Sequence, residues 1–178
     1  MKTLKRFMIV CLILITTGAM AQSEKDTEIM ADAQKAKSTL IATDAGLETY
    51  FDNASGYAIF PNVGKGGLIV GGASGNGVLY ENGTAVGMTS LKKINIGLQA
   101  GGQAMIQVIF FETDAALAKF KQGNYEFSAE ASAVVAEEGK SENASYSDGV
   151  MVFALPKAGL MADASVGGQK FEYHPFPQ

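Results

Sequence analysis

The sequence predicts an α+β chain dominated by antiparallel β structure: a barrel-like or sandwich sheet, preceded by N-terminal helices and interrupted by one short helix near residues 115–121. Three observations point there. Short apolar segments punctuated by glycine recur from Gly56 onward. The dipeptide Asn82-Gly83 lies between two of them, and a type I′ hairpin turn requires positive φ at both central positions. Ahead of them, Ile29, Ala33, Ala36 and Leu40 recur at helical spacing.

In chain order, Lys2, Lys5 and Arg6 precede an apolar run from Phe7 to Ile15 and the small residues Ala19-Met20-Ala21. This is the layout of a secretory signal, with cleavage expected after Ala21. The apolar run is short of the ~20 residues a membrane-spanning helix needs. Cys11 lies inside the run, so it is not placed to become the lipid-bearing first residue of a lipoprotein. The expectation is an exported protein, periplasmic or associated with the cell envelope. Residues 22–178 then form one domain, and removing three positive residues takes the formal net charge from −4 to −7. Cys11 is the single cysteine, so the remaining chain has no disulfide and depends on packing. The acidic balance excludes a general nucleic-acid binder; an anionic partner requires a local basic patch.

Residues 22–26 read as a flexible start and Thr27–Thr43 as a helix, with Asp32, Gln34 and Lys35 opposite its apolar face. Its mixed charge favours packing on the domain over insertion into a membrane surface. Asp44 is expected to cap a second helix that turns Leu47, Tyr50 and Phe51 inward. Strands are predicted at Tyr57–Phe60, Leu68–Ala73, Val78–Glu81, Thr84–Leu91, Ile94–Ala100 and Gln103–Phe111. The last is apolar on both faces apart from Gln107, which places it centrally. Thr113-Asp114 caps a helix over Ala115–Lys121, stopped by Gly123. Alternation from Tyr125 to Val135 predicts a strand with one wet face. A polar loop over Glu137–Asp148 leads to strands at Val150–Leu155, Leu160–Val166 and Gln169–His174.

Gly56-Tyr57-Ala58-Ile59-Phe60 is echoed by Gly149-Val150-Met151-Val152-Phe153. Each is followed by a proline and a lysine, Pro61 with Lys65 and Pro156 with Lys157. Two similar hairpins or merely shared strand chemistry account for it equally well.

Chemistry-bearing patterns fail on spacing. Gly139-Lys140-Ser141 has the end of a phosphate-binding loop but Val134 where the first glycine belongs. Gly75-Asn76-Gly77 has Tyr80 in place of the third dinucleotide-binding glycine, and its glycines read instead as marks of a bulge or close backbone approach. His174 is the single histidine, which leaves neither a zinc set of His and Cys nor a convincing catalytic triad. No enzyme, metal or cofactor is predicted.

The run Gly56-Tyr57-Ala58-Ile59-Phe60-Pro61-Asn62-Val63-Gly64-Lys65-Gly66-Gly67-Leu68-Ile69-Val70-Gly71-Gly72-Ala73 resembles the SYLF domain family. The likeness continues through Gly77-Val78-Leu79-Tyr80, Gly97 to Gln103, Ile109 to Thr113, Phe127 to Ala133 and Pro156 to Met161, covering roughly residues 30–173. The resemblance implies a non-catalytic domain that binds acidic or phosphoinositide-like lipids. Actin binding, known in some yeast members, does not suit an exported chain. The non-basic first helix also departs from the family's membrane-inserting mode. The alternative function is a structural or protein-interaction module of the envelope with no small ligand. Candidate anion contacts are Lys65 among Gly64, Gly66 and Gly67, with Lys157 at the matching place, and then Lys92 and Lys93. Glycines leave loop amides uncovered, and such amides with a lysine can wrap an oxyanion. A solvated turn lysine is the competing reading of Lys65.

Overall fold

The computed structural model describes residues 24–65, 72–94, 103–123, 125–128, 131–157 and 166–177. Helices are α1 (24–43), α2 (Leu47–Asn53) and α3 (Asp114–Lys121). Strands are β1 (Gly56–Lys65), β2 (Gly72–Glu81), β3 (Thr84–Ile94), β4 (Gln103–Phe111), β5 (Tyr125–Glu126), β6 (Val134–Val135), β7 (Val150–Pro156) and β8 (Gln169–Pro175). They form one eight-stranded sheet in the order β5-β8-β3-β2-β1-β4-β7-β6. Every pairing is antiparallel except that of β6 with β7.

The sheet is curled into a half-barrel. β1 and β8 are three strand spacings apart, about 14 Å in a flat sheet, yet the rings of Phe60 and Phe171 approach to 5.7 Å. The concave face holds Phe60, Phe111, Phe120, Phe127 and Phe171 in one cluster, to which α3 contributes Leu117 and Phe120. The other face packs Tyr57, Ile59, Val78, Tyr80 and Val108 under α1 and α2.

Several elements match the sequence reading. Ala33, Ala36 and Leu40 of α1 are buried. Asn82 and Gly83 have φ of 49° and 76°. β4 is central, with Met105, Ile109 and Phe111 on one face and Ile106, Val108 and Phe110 on the other. Thr113 caps α3 by accepting from the Ala116 amide at 3.2 Å.

Others are corrected. Residues 24–26, expected to be flexible, are helical. Asp44 does not cap α2, whose N-cap is Gly46 without a side-chain bond; its carboxylate instead accepts from Ser141 in the distant 137–148 loop. β1 runs through Pro61 and Asn62 as a bulge instead of stopping at Phe60. A bulge is where a sheet tolerates proline, which has no N–H for the ladder. β2 is continuous across Gly75-Asn76-Gly77, where two strands were expected. There Cβ atoms would strike the bulged neighbour: one on Gly75 would lie 2.9 Å from the Asn62 carbonyl oxygen.

The alternating stretch 125–135 is not one strand. Its start pairs with β8 and its end with β7, so it passes from one edge of the half-barrel toward the other. Phe127 and Ala133 are nevertheless buried in the concave cluster, as the alternation required. The echoed segments are β1 and β7, which flank β4 on either side. The segments expected to complete the two hairpins, from Leu68 and from Leu160, lie largely outside the described residues. The strands expected over Leu68–Ala73, Ile94–Ala100 and Leu160–Val166 lie largely outside the described residues; Val166 is not in a strand.

Candidate functional site: the lysine end of the sheet

Strand register, not sequence proximity, assembles the candidate lysines. Lys65 pairs with Ala73 on β2 and Gln103 on β4. Ala73 pairs in turn with Lys93, and Lys93 with Gln169. One row thus crosses five strands, and opposed residues in a sheet share a face. In this row Lys93 is 7% exposed, between buried Ala73 and Gln169. The adjacent row reads Lys170, Lys92, Ser74, Gly64 and Ala104. Lys157 extends it, donating its amide to the Ala104 carbonyl at 2.9 Å.

The four candidates therefore occupy one end of the sheet, divided between its faces. Lys92 and Lys157 are exposed on the α1 side. Lys93 belongs to the buried concave row. Lys65 is placed by its backbone beside the start of β4, with Lys157 on that strand's other flank, roughly 10 Å away at two strand spacings. Gly64 and Lys65 are paired on both sides, so their backbone belongs to the ladder and not to an open loop as expected. A Cβ on Gly64 would meet nothing within 4 Å. Gly66 and Gly67 lie outside the described residues.

The opposite end of the sheet is acidic, with Glu81 closing β2, Glu112 following β4 and Asp148 preceding β7. Not every lysine is at the basic end: Lys121 on α3 binds Glu81 at 2.8 Å, a bond that raises its pKa. At the basic end, Lys92 meets Glu172 at 3.5 Å and Lys170 meets Glu126 at 3.4 Å. These pairs are well exposed and weak. Lys157 has no ion pair among the described residues.

Two clefts flank α1 at this end. One, about 500 Å³, is walled by Lys25, Glu28, Asp32 and Lys92 together with Ile29 and Leu91 among others, its two acids matched by its two lysines. The second, about 460 Å³, has an apolar floor of Pro61, Ile106, Leu155 and Pro156. Its rim carries Lys35 and Thr39 of α1, Lys157 after β7, and Asp32. The sequence reading found Lys157 but missed Lys35, which appeared only as a solvent-facing helix residue. Pairing them requires knowing that α1 lies alongside β4 and β7. Lys170 was also missed, although it follows the Gly167-Gly168-Gln169 triplet.

Among the described residues no group of three or more His, Cys, Asp or Glu side chains is placed to hold a metal. His174 sits in β8 opposite Met88 and is exposed. No helix among the described residues is long and apolar enough to cross a membrane.

Comparison with known proteins places residues 92–174 in a match to the Ysc84 family, described as Las17-binding protein actin regulator. Beta cell expansion factor A of Aeromonas veronii is 29% identical over 165 residues, covering 84% of this chain. The match spans 62% of that relative's length.

Proposed function

We propose, for a chain that carries a domain of the SYLF (Ysc84) family, that it is an exported, non-catalytic protein of the periplasm or cell envelope whose lysine-bearing sheet end contacts acidic lipid headgroups. The observation that carries this reading is the register that draws Lys65, Lys92 and Lys157 to one end while Glu81, Glu112 and Asp148 occupy the other; Lys93, expected as a further contact, is instead buried on the concave side. A net acidic chain is repelled by an acidic surface as a whole. Segregating its charge gives it one end that is attracted, and that end approaches first. Lysine suits the task as a compact cation on a flexible stem.

The test is sedimentation with vesicles of phosphatidylcholine containing phosphatidylglycerol. Lys157→Glu and Lys65→Glu are expected to weaken binding several-fold more than Lys140→Glu, the same charge change next to the Asp44–Ser141 contact. Added salt should narrow the difference, because exposed charges are screened over ~8–10 Å. Equal losses from all three variants would reduce the effect to net charge and remove the site. Absence of vesicle binding by the unaltered protein would favour an envelope module without a small ligand.

A further inference from the structure

We infer that the cleft between α1 and the β1-β4-β7 surface binds the single acyl chain of a monoanionic amphiphile, a fatty acid or lysophospholipid taken one molecule at a time. The inference rests on Lys157 as an anion contact and extends that reading from a membrane surface to a monomeric ligand.

Two features select this occupant. The floor of Pro61, Ile106, Leu155 and Pro156 is apolar, whereas the rim is charged. A ligand matching both must have a hydrocarbon body and a polar end. The charge is also specified: Lys35 and Lys157 against Asp32 leave one net positive charge at the rim, which a single carboxylate or phosphodiester neutralises. The cleft volume of about 460 Å³ falls within the ordinary range for small-molecule sites. The cleft on the other flank of α1 has a comparable volume, but its Lys25 and Lys92 are matched by Glu28 and Asp32, which leaves no net charge to hold an anionic end.

The concave side of the sheet is packed among the described residues. Five phenylalanines fill it, and the buried amides of Gln107 and Gln169 bond to each other. A chain-like ligand is therefore directed to the outside of the half-barrel, beneath the edge of α1. Small side chains make this edge: Ala36 is 3% exposed at the cleft, and Thr39 stands one turn further on.

The experiment titrates the purified protein with dansyl-undecanoate, following dansyl fluorescence. Palmitate and lysophosphatidylglycerol compete in separate arms that distinguish the two sources; monopalmitoylglycerol and inorganic phosphate test chain and charge alone. Saturable one-to-one binding is expected, displaced by at least one of the first two and at least tenfold less well by the others. Lys35→Glu and Thr39→Phe should each weaken probe binding at least tenfold with circular dichroism unchanged, and Thr39→Phe, which changes no charge, should also leave vesicle sedimentation unchanged. Lys35→Ala serves as the milder second variant and should weaken binding about threefold. Lys92→Glu, on the other cleft, should change it less than twofold. No probe binding, displacement by phosphate as readily as by palmitate, or an equal effect of Lys92→Glu would overturn the inference. Vesicle binding without probe binding would overturn it while leaving the proposed function standing. Probe binding with the expected competition, by a protein that does not sediment with vesicles, would support the inference and overturn the proposed function instead.

Discussion

Gln107 and Gln169 exchange two amide hydrogen bonds, at 2.8 and 3.1 Å, across the buried concave face of the sheet. They belong to β4 and β8, four strand spacings apart in the sheet order. The pair joins the two sides of the half-barrel and satisfies both amides where the surrounding side chains are aromatic and aliphatic. Replacing one partner by leucine strands the other amide, at a cost of roughly 1–3 kcal/mol. Replacing both by leucine removes the need, so the double variant should be more stable than the sum of the singles predicts. Urea denaturation of Gln107→Leu, Gln169→Leu and the double variant measures the coupling; additivity would count against it.

Asp44 ties the α1–α2 junction to the 137–148 segment. It is 1% exposed and accepts from the Ser141 amide and hydroxyl, each at 2.8 Å, and from the Gly46 amide at 3.1 Å. Burial pushes its carboxyl up, but the bonds from Ser141, Gly46 and Gly139 together outweigh burial and hold it below the ordinary value of 3.8. A depressed folded-state pKa contributes stability that is present above the unfolded value and lost as pH falls through the folded one. Asp44→Ala should therefore cost about 2 kcal/mol near neutral pH. The difference from the unaltered protein should shrink below about pH 4. Denaturation midpoints collected between pH 3 and 7 check it; a constant difference would contradict the sign.

Gly77 sits where β2 passes the bulge of β1. A Cβ there would collide with the Ile59 carbonyl oxygen and lie 2.7 Å from a ring carbon of Phe60. Since the first obstacle is backbone, relief requires the strands to part. Gly77→Ala should destabilise by about 1–3 kcal/mol, and Gly83→Ala should act differently. The Gly83 Cβ would meet nothing within 4 Å, so its cost comes from the positive φ of 76°. Thermal unfolding should show that Phe60→Leu, which removes the ring, partly rescues Gly77→Ala but not Gly83→Ala. Equal behaviour of the two pairs would contradict a steric origin at Gly77.

Export predicts a mature chain that begins at Gln22. N-terminal sequencing of protein recovered from the envelope fraction should give Gln-Ser-Glu-Lys-Asp. An intact Met1 on that material would contradict cleavage.

The candidate site was legible in part. Lysines beside glycine and proline in echoed segments drew attention to Lys65 and Lys157, and the register puts them on either flank of β4. That they flank one strand was not legible, because β4 comes between β1 and β7 only in the folded sheet. Lys35 was invisible as a partner, since nothing in a helical repeat states which strand lies beside its rim.

By itself the sequence determined the local features: the α1 apolar face, the Asn82-Gly83 turn, the doubly buried β4 and the Thr113 cap. Each follows from interactions within a few residues or from a periodicity of side-chain burial. Only the tertiary structure decided that 125–135 divides between two edges, that β8 pairs with β3 instead of β7, that Asp44 holds Ser141, and that Gln107 meets Gln169. These contacts join residues far apart in the chain, 97 positions for Asp44 and Ser141 and 62 for Gln107 and Gln169, and their partners are set by how far the sheet curls. Curl comes from bulges, strand twist and the packing of two opposed apolar faces acting together, a sum over the whole sheet that no single segment encodes.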